Sequence, residues 1–124
     1  MHQAVNSDKV PAAVGPYSHG SEVGGLIFIS GQLPIDAATG EMPGDAAGQT
    51  RQSLENVRQT LKAAGSSLEK VVKTTVYLQN MEDFGAVNEA YASYFREPFP
   101  ARSCFEVARL PKEALVEIEV IAEK

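Results

Sequence analysis

Tyr17-Ser18-His19-Gly20-Ser21-Glu22-Val23-Gly24-Gly25-Leu26-Ile27-Phe28-Ile29-Ser30-Gly31-Gln32 is the stretch that decides how this chain folds. Gly24-Gly25 separates two extended halves, residues 17–23 and 26–32. Paired glycines accept the positive φ angles of a two-residue turn, so the spacing predicts a β-hairpin. The run Leu26-Ile27-Phe28-Ile29 is apolar at every position. A strand built that way expects cover on both faces of its sheet.

Downstream, Pro34, Gly40, Pro43 and Gly44 mark a loop. Residues 45–64 then read as a helix, with Ala47, Thr50, Leu54, Val57, Leu61 and Ala64 recurring at steps of three and four. Gly65 stands where a left-handed stop is expected. Val71–Leu78 is rich in Val and Thr, as strands are. Asn80 can cap a second helix whose apolar face is Phe84, Val87, Tyr91 and Phe95, ended by Pro98 and Pro100. Two strands follow, Ala101–Val107 and Leu115–Ala122, separated by Pro111. In the first, Arg102, Cys104 and Glu106 share one face; in the second, Glu117 and Glu119 oppose Val116, Ile118 and Val120.

The order is ββαβαββ, an α+β arrangement in a single domain spanning residues 1–124. Two helices cover only one face of such a sheet. The other face is expected to carry the residues of 26–29 together with Glu117 and Arg102. A monomer would expose that mixture, so self-association through the sheet is expected.

Composition narrows the functional classes. Apolar residues are 44% and charged residues 22%, ordinary for a soluble domain. The formal charge is −5 with no basic run, which disfavours binding nucleic acid through phosphates. The one cysteine cannot form an intrachain disulfide, and no apolar run of membrane-spanning length or signal-peptide core is evident, so a cytoplasmic protein is expected. His2, His19 and the scattered acids lack metal-ligand spacing, so no metal is expected.

Several separated segments together resemble one family. They are Gly15-Pro16-Tyr17-Ser18, Ser30-Gly31-Gln32, Asn56-Val57, Val72-Lys73, Asp83-Phe84 with Asn88 and Tyr91, Pro100-Ala101-Arg102-Ser103 and Glu117-Ile118-Glu119. In order and spacing they resemble the Rid family, also called YjgF, over nearly the whole chain. The resemblance implies an α+β fold like that of bacillus-type chorismate mutase, and a homotrimer with three clefts between subunits. It implies an enzyme without cofactor, a 2-iminobutanoate/2-iminopropanoate deaminase. Such an enzyme hydrolyses reactive enamines and imines such as 2-aminoacrylate to 2-keto acids and ammonia, as metabolite damage control. The deaminating branch carries residues that map onto Arg102, Tyr17, Ser30 and Glu117. One departure is local: the family usually reads Tyr-Ser-Gln-Ala where this chain has Tyr17-Ser18-His19-Gly20.

The residue types suit that chemistry. Arg102 offers paired donors that match a carboxylate edge to edge; the plainer reading is an exposed or ion-paired arginine. A half-buried Glu117 suits proton transfer or water positioning; the plainer reading, a solvated strand glutamate, fits Glu119 better. Tyr17 could close the pocket, or be a core tyrosine with its hydroxyl at the surface. Ser30 and the Gly31 amide could hold carboxylate or water, or merely end a strand. Cys104 lies on the Arg102 face, but no base is placed beside it, so a small buried thiol is the better reading. In the family, the backbone carbonyl at this position resembles a water acceptor. A non-catalytic trimer binding 2-keto or 2-amino acids is the alternative, ahead of a chaperone-like or RNA-acting protein.

Overall fold

Gly24 and Gly25 adopt φ angles of 59° and 79°, and the turn they make sets Val23 opposite Leu26. The computed structural model describes residues 1–124. Its strands are β1 (Gln3–Val5), β2 (Gly20–Val23), β3 (Leu26–Gln32), β4 (Val71–Leu78), β5 (Ala101–Glu106) and β6 (Val116–Glu123). The helices are α1 (Ala46–Ala63), between β3 and β4, and α2 (Phe84–Ala92), between β4 and β5. All six strands form one sheet in the order β1-β2-β3-β6-β4-β5. Only the β4–β5 pair is parallel, as expected of strands joined through a helix.

The predicted elements are present, with one addition and several shifted ends. β1 is only three residues long, too short to show alternation in the sequence. The first hairpin strand begins at Gly20 rather than Tyr17, because His19 carries backbone and side-chain bonds to the preceding segment. Asn80 does cap, but it accepts the Glu82 N–H and so starts a 3-10 turn over Met81–Asp83 that leads into α2. Phe95 is buried although α2 has already ended.

α1 illustrates how the sequence closes a helix at both ends. The Asp45 carboxylate accepts the Gly48 N–H at 2.7 Å, satisfying one of the free donors of the first turn. At the other end Gly65 has φ 80°. There Ser66 N–H donates to Leu61 O and Gly65 N–H to Lys62 O, the paired bonds of a Schellman stop. Leu54, Val57 and Leu61 are fully buried against Ile27, Leu78, Val116 and Ile118 of the sheet. Removing any one of these large side chains is expected to cost roughly 2–5 kcal/mol.

The helices lie on one face of the sheet only. Val116, Ile118, Val120 and Ala122 of β6 point toward them and are buried. The opposite face presents exposed Leu26, Phe28 and Phe105, with Tyr77 and Phe105 in edge-to-face contact at 5.2 Å. One expectation fails here. Arg102 was expected on this open face with Glu117, but β5 runs parallel to β4 with Arg102 opposite Thr74 and Cys104 opposite Val76. Thr74 and Val76 are buried on the helix side, so the register turns Arg102 and Cys104 that way too.

Candidate active site

Glu117 belongs to a cleft at one end of the open face. The β3–β6 register pairs Ile29 with Val120 but Gln32 with Ile118, so β3 holds one extra residue in a bulge at Ser30-Gly31. Bulges bend a strand and re-aim its side chains. Here the bulge brings the Gly31 backbone against the Glu117 carboxylate so closely that an added methyl group would collide with it. That contact explains the glycine, which the hairpin pattern alone left as a strand end.

The cleft has a volume of about 620 Å³, and Tyr17, Ser30, Gly31 and Glu117 line it together with His19 and Lys112. Ser30 is spent on structure: its hydroxyl donates to the Ser18 carbonyl at 2.7 Å, and its N–H donates to the His19 carbonyl at 2.9 Å. Tyr17 is half exposed at the wall of the cleft, its ring lying back over Gly15. Burial raises the Glu117 pKa above the usual carboxylate value, and the like charge of Glu119 raises it further. Tyr77 lies opposite Glu117 in the ladder; its phenol is pushed up to about 12 by burial and by Glu119 and Glu117. Lys112 has no carboxylate partner, and both it and Glu113 are held at positive φ, 55° and 59°.

Arg102 sits elsewhere, on a seat made by α2. Its guanidinium donates to Asn88 Oδ1 at 2.7 Å and lies over the rings of Tyr91, at 5.0 Å, and Phe84, at 5.6 Å. Phe84, Asn88 and Tyr91 stand at steps of four and three, one stripe of the helix. Tyr91 is fixed in turn by a 2.8 Å hydrogen bond between its hydroxyl and that of Thr74. The sequence reads Phe84 and Tyr91 as part of an apolar helix face, and names them with Asn88 only as a segment of the family resemblance, with no role in the site. The signal was a polar residue inside an otherwise apolar stripe.

Cys104 is half-buried beside the core. Burial raises its thiol pKa, only partly countered by Arg102, which agrees with a packing role for the side chain. The six expected residues therefore divide. Tyr17, Ser30, Gly31 and Glu117 share one cleft, while Arg102 and Cys104 lie on the other side of the sheet. No three His, Cys, Asp or Glu side chains converge as a metal-binding group would need.

Comparison with known proteins gives this arrangement a family. The family model for endoribonuclease L-PSP matches residues 7–124. The 2-iminobutanoate/2-iminopropanoate deaminase of Escherichia coli is 48% identical over 98% of this chain and 98% of its own length. The solved YjgF gene product of E. coli superposes with a TM-score of 0.94 at 46% identity, covering 98% of each chain. E. coli TdcF, solved with bound serine, does so with a TM-score of 0.93 at 42% identity, again over 98% of each chain. With the family model, the relatives and the solved folds in agreement over nearly the full length, the chain belongs to the Rid/YjgF family, whose model bears the endoribonuclease L-PSP description.

Proposed function

We propose that this protein hydrolyses 2-imino acids, and the enamines that tautomerise to them, to 2-keto acids and ammonia. The observation that carries the reading is the seat of Arg102. The guanidinium is stacked on two rings and anchored by one amide, yet no Asp or Glu of the chain pairs with it. Held in that orientation at an exposed position, the fork is free to receive a carboxylate. The deaminase relative supports the choice of substrate.

A site using both Arg102 and Glu117 takes one from each of two subunits, because within a chain they face opposite sides of the sheet. β5 is the outermost strand, so Arg102 lies at a rim that a partner's cleft can meet. The uncovered aromatic and aliphatic face supports such an assembly, and a homotrimer with three shared clefts is the form we propose. In it, Arg102 grips the substrate carboxylate. Tyr17, with Ser30 behind it, walls the pocket. The Gly31 amide and the Cys104 carbonyl are the backbone groups offered to substrate and water. Glu117, its carboxyl biased toward the protonated form, exchanges protons with the attacking water and the departing nitrogen. One water adds across the C=N bond and ammonia leaves, so no redox partner is required.

The test is direct. A serine or threonine dehydratase generates the imine, and semicarbazide traps what survives. Purified protein should shorten the imine's lifetime; an unchanged lifetime rejects the proposal. A second reading has its own support, since TdcF was solved with serine, a stable amino acid. A binding or sensor role predicts calorimetric binding of 2-keto or 2-amino acids without imine consumption. RNA cleavage, suggested by the family model's description, is disfavoured by the net charge of −5 and the absence of a basic run.

A further inference from the structure

The outer wall of the Glu117 cleft is neither helix nor strand. Residues 6–18 run irregularly between β1 and β2 and supply Pro11, Ala12, Val14 and Tyr17 to the cleft. Such a segment stays in place only through specific bonds. Val10, within it, is buried, and Ser30 holds the Ser18 carbonyl. Most of the other ties converge on one residue. His19 donates its N–H to Asn6 Oδ1 at 3.1 Å. Its ring accepts the Ser7 N–H at Nδ1, 3.1 Å, and reaches the Pro11 carbonyl from Nε2, 2.9 Å.

The two ring partners settle the protonation state. A backbone N–H can only donate and a carbonyl can only accept. The imidazole is therefore neutral, with its proton on Nε2. The residue is 6% exposed, so water cannot readily replace a lost partner. A second proton would have to sit on Nδ1, where it meets the Ser7 N–H donor to donor. The titratable and charged groups that share the cleft with the ring are Tyr17, Lys112 and Glu117, and Asp8 and Lys9 follow its partner Ser7 in sequence. None of them bonds to the ring.

We propose that His19 is the positioning residue of this cleft: neutral, it clamps residues 6–18 and so places Tyr17; protonated, it releases them. The wall becomes an acid-sensitive gate on the site. Only the kinetic consequence rests on the deaminase reading; the clamp itself stands on the hydrogen bonds.

His19→Gln separates the clamp from its titration, because a glutamine amide offers one acceptor and one donor and does not gain a proton in this range. His19→Ala removes both. NMR of the wild type should show the Nε2–H tautomer at neutral pH, and the Ser7 amide resonance should move as the ring titrates. An Nδ1–H tautomer, or a Ser7 resonance indifferent to ring protonation, overturns the clamp without any variant being folded. Kinetically, acidification should lower kcat/KM of wild type by one proton more than that of His19→Gln, which keeps only the limb belonging to Glu117. His19→Ala should fall roughly tenfold at every pH, the effect of about one buried hydrogen bond. Coincident pH profiles for wild type and His19→Gln would overturn the acid-sensitive gate, and a His19→Ala that keeps the wild-type kcat/KM would show that the wall does not position Tyr17. A Ser7 response with no imine turnover by any form would leave the clamp standing and reject the deaminase instead.

Discussion

Arg102 and Glu117 are opposite charges prepared in opposite ways. Arg102 stands on an edge strand in reach of water, and its readiness comes from the seat beneath it, two rings and one amide supplied by α2. Glu117 stands on a central strand, and its readiness comes from what surrounds it: partial burial, the charge of Glu119 and a glycine bulge that lets the backbone close on the carboxylate. A guanidinium cannot be tuned by pKa, so the fold can only fix its orientation. A carboxylate can be tuned, so the fold withdraws its solvent.

This contrast is broken most severely at Arg102. Arg102→Ala should lower kcat/KM for imine hydrolysis by roughly 10²–10⁴-fold, the worth of two charge-assisted bonds. The oligomer seen by sedimentation should not change, because the residue's contacts run to its own α2. Arg102→Lys should recover little, since a point charge does not reproduce the fork. If the two charges meet across subunits, two dead proteins should repair each other. Unfolding and refolding Arg102→Ala together with Glu117→Gln should restore about a quarter of the sites by random assembly. A mixture that remains inactive would mean that no single site uses both charges, since one chain holds them on opposite faces.

Next in size is the glycine that makes room for the acid. Gly31→Ala should force the Glu117 carboxylate aside and lower kcat by about 10²-fold, in line with small misplacements of a reacting group. Thermal unfolding would tell misplacement from collapse. A smaller effect separates the two causes of the Glu117 shift. Removing the charge with Glu119→Gln should move the pH limb belonging to Glu117 toward lower pH while leaving the part due to burial. The same shift has a sign for stability. Glu117 holds its proton more tightly folded than unfolded, so its contribution is fully present below the ordinary carboxylate value. It is lost as pH rises from there through the raised one. Glu117→Gln should therefore melt higher than wild type at neutral pH, with the gap closing on acidification.

The two regions also differ in how far they could be read in advance. The hairpin turn, the α1 stripe with its Gly65 stop, and the alternation of β6 are local patterns, and local patterns survive translation into structure. The identity of Arg102 and Glu117 as a pair came from residue types and resemblance. Their placement on opposite faces did not, because it depends on the parallel register of β5 against β4, two strands separated by α2. Register between distant strands leaves no mark on a single segment. The bulge at Ser30-Gly31 was hidden for the same reason, existing only relative to β6. His19 looked like a departure from a motif, and its value as a clamp emerges only when residues 6–11 fold over it.

The smallest expected effect concerns Lys112, the cation on the cleft's own side. Lys112 and Glu113 hold consecutive left-handed φ angles, a conformation that strains each non-glycine residue by roughly 1–2 kcal/mol. Lys112→Gly should relieve that strain, offset by the extra unfolded-chain entropy of a glycine, about 0.4–1 kcal/mol, and leave a net gain of up to about 1 kcal/mol. If the lysine side chain served nothing, the gain would come free. Lys112, however, lines the Glu117 cleft without an acidic partner, and under the proposed function its charge would draw an anionic substrate toward the site. The variant should then melt higher yet show a higher KM, with the loss shrinking as salt rises and screens the attraction. Equal KM values at low salt would remove Lys112 from the site and leave the strain without a functional counterpart. Arg102 of β5 would then be the positive charge left to the proposed site.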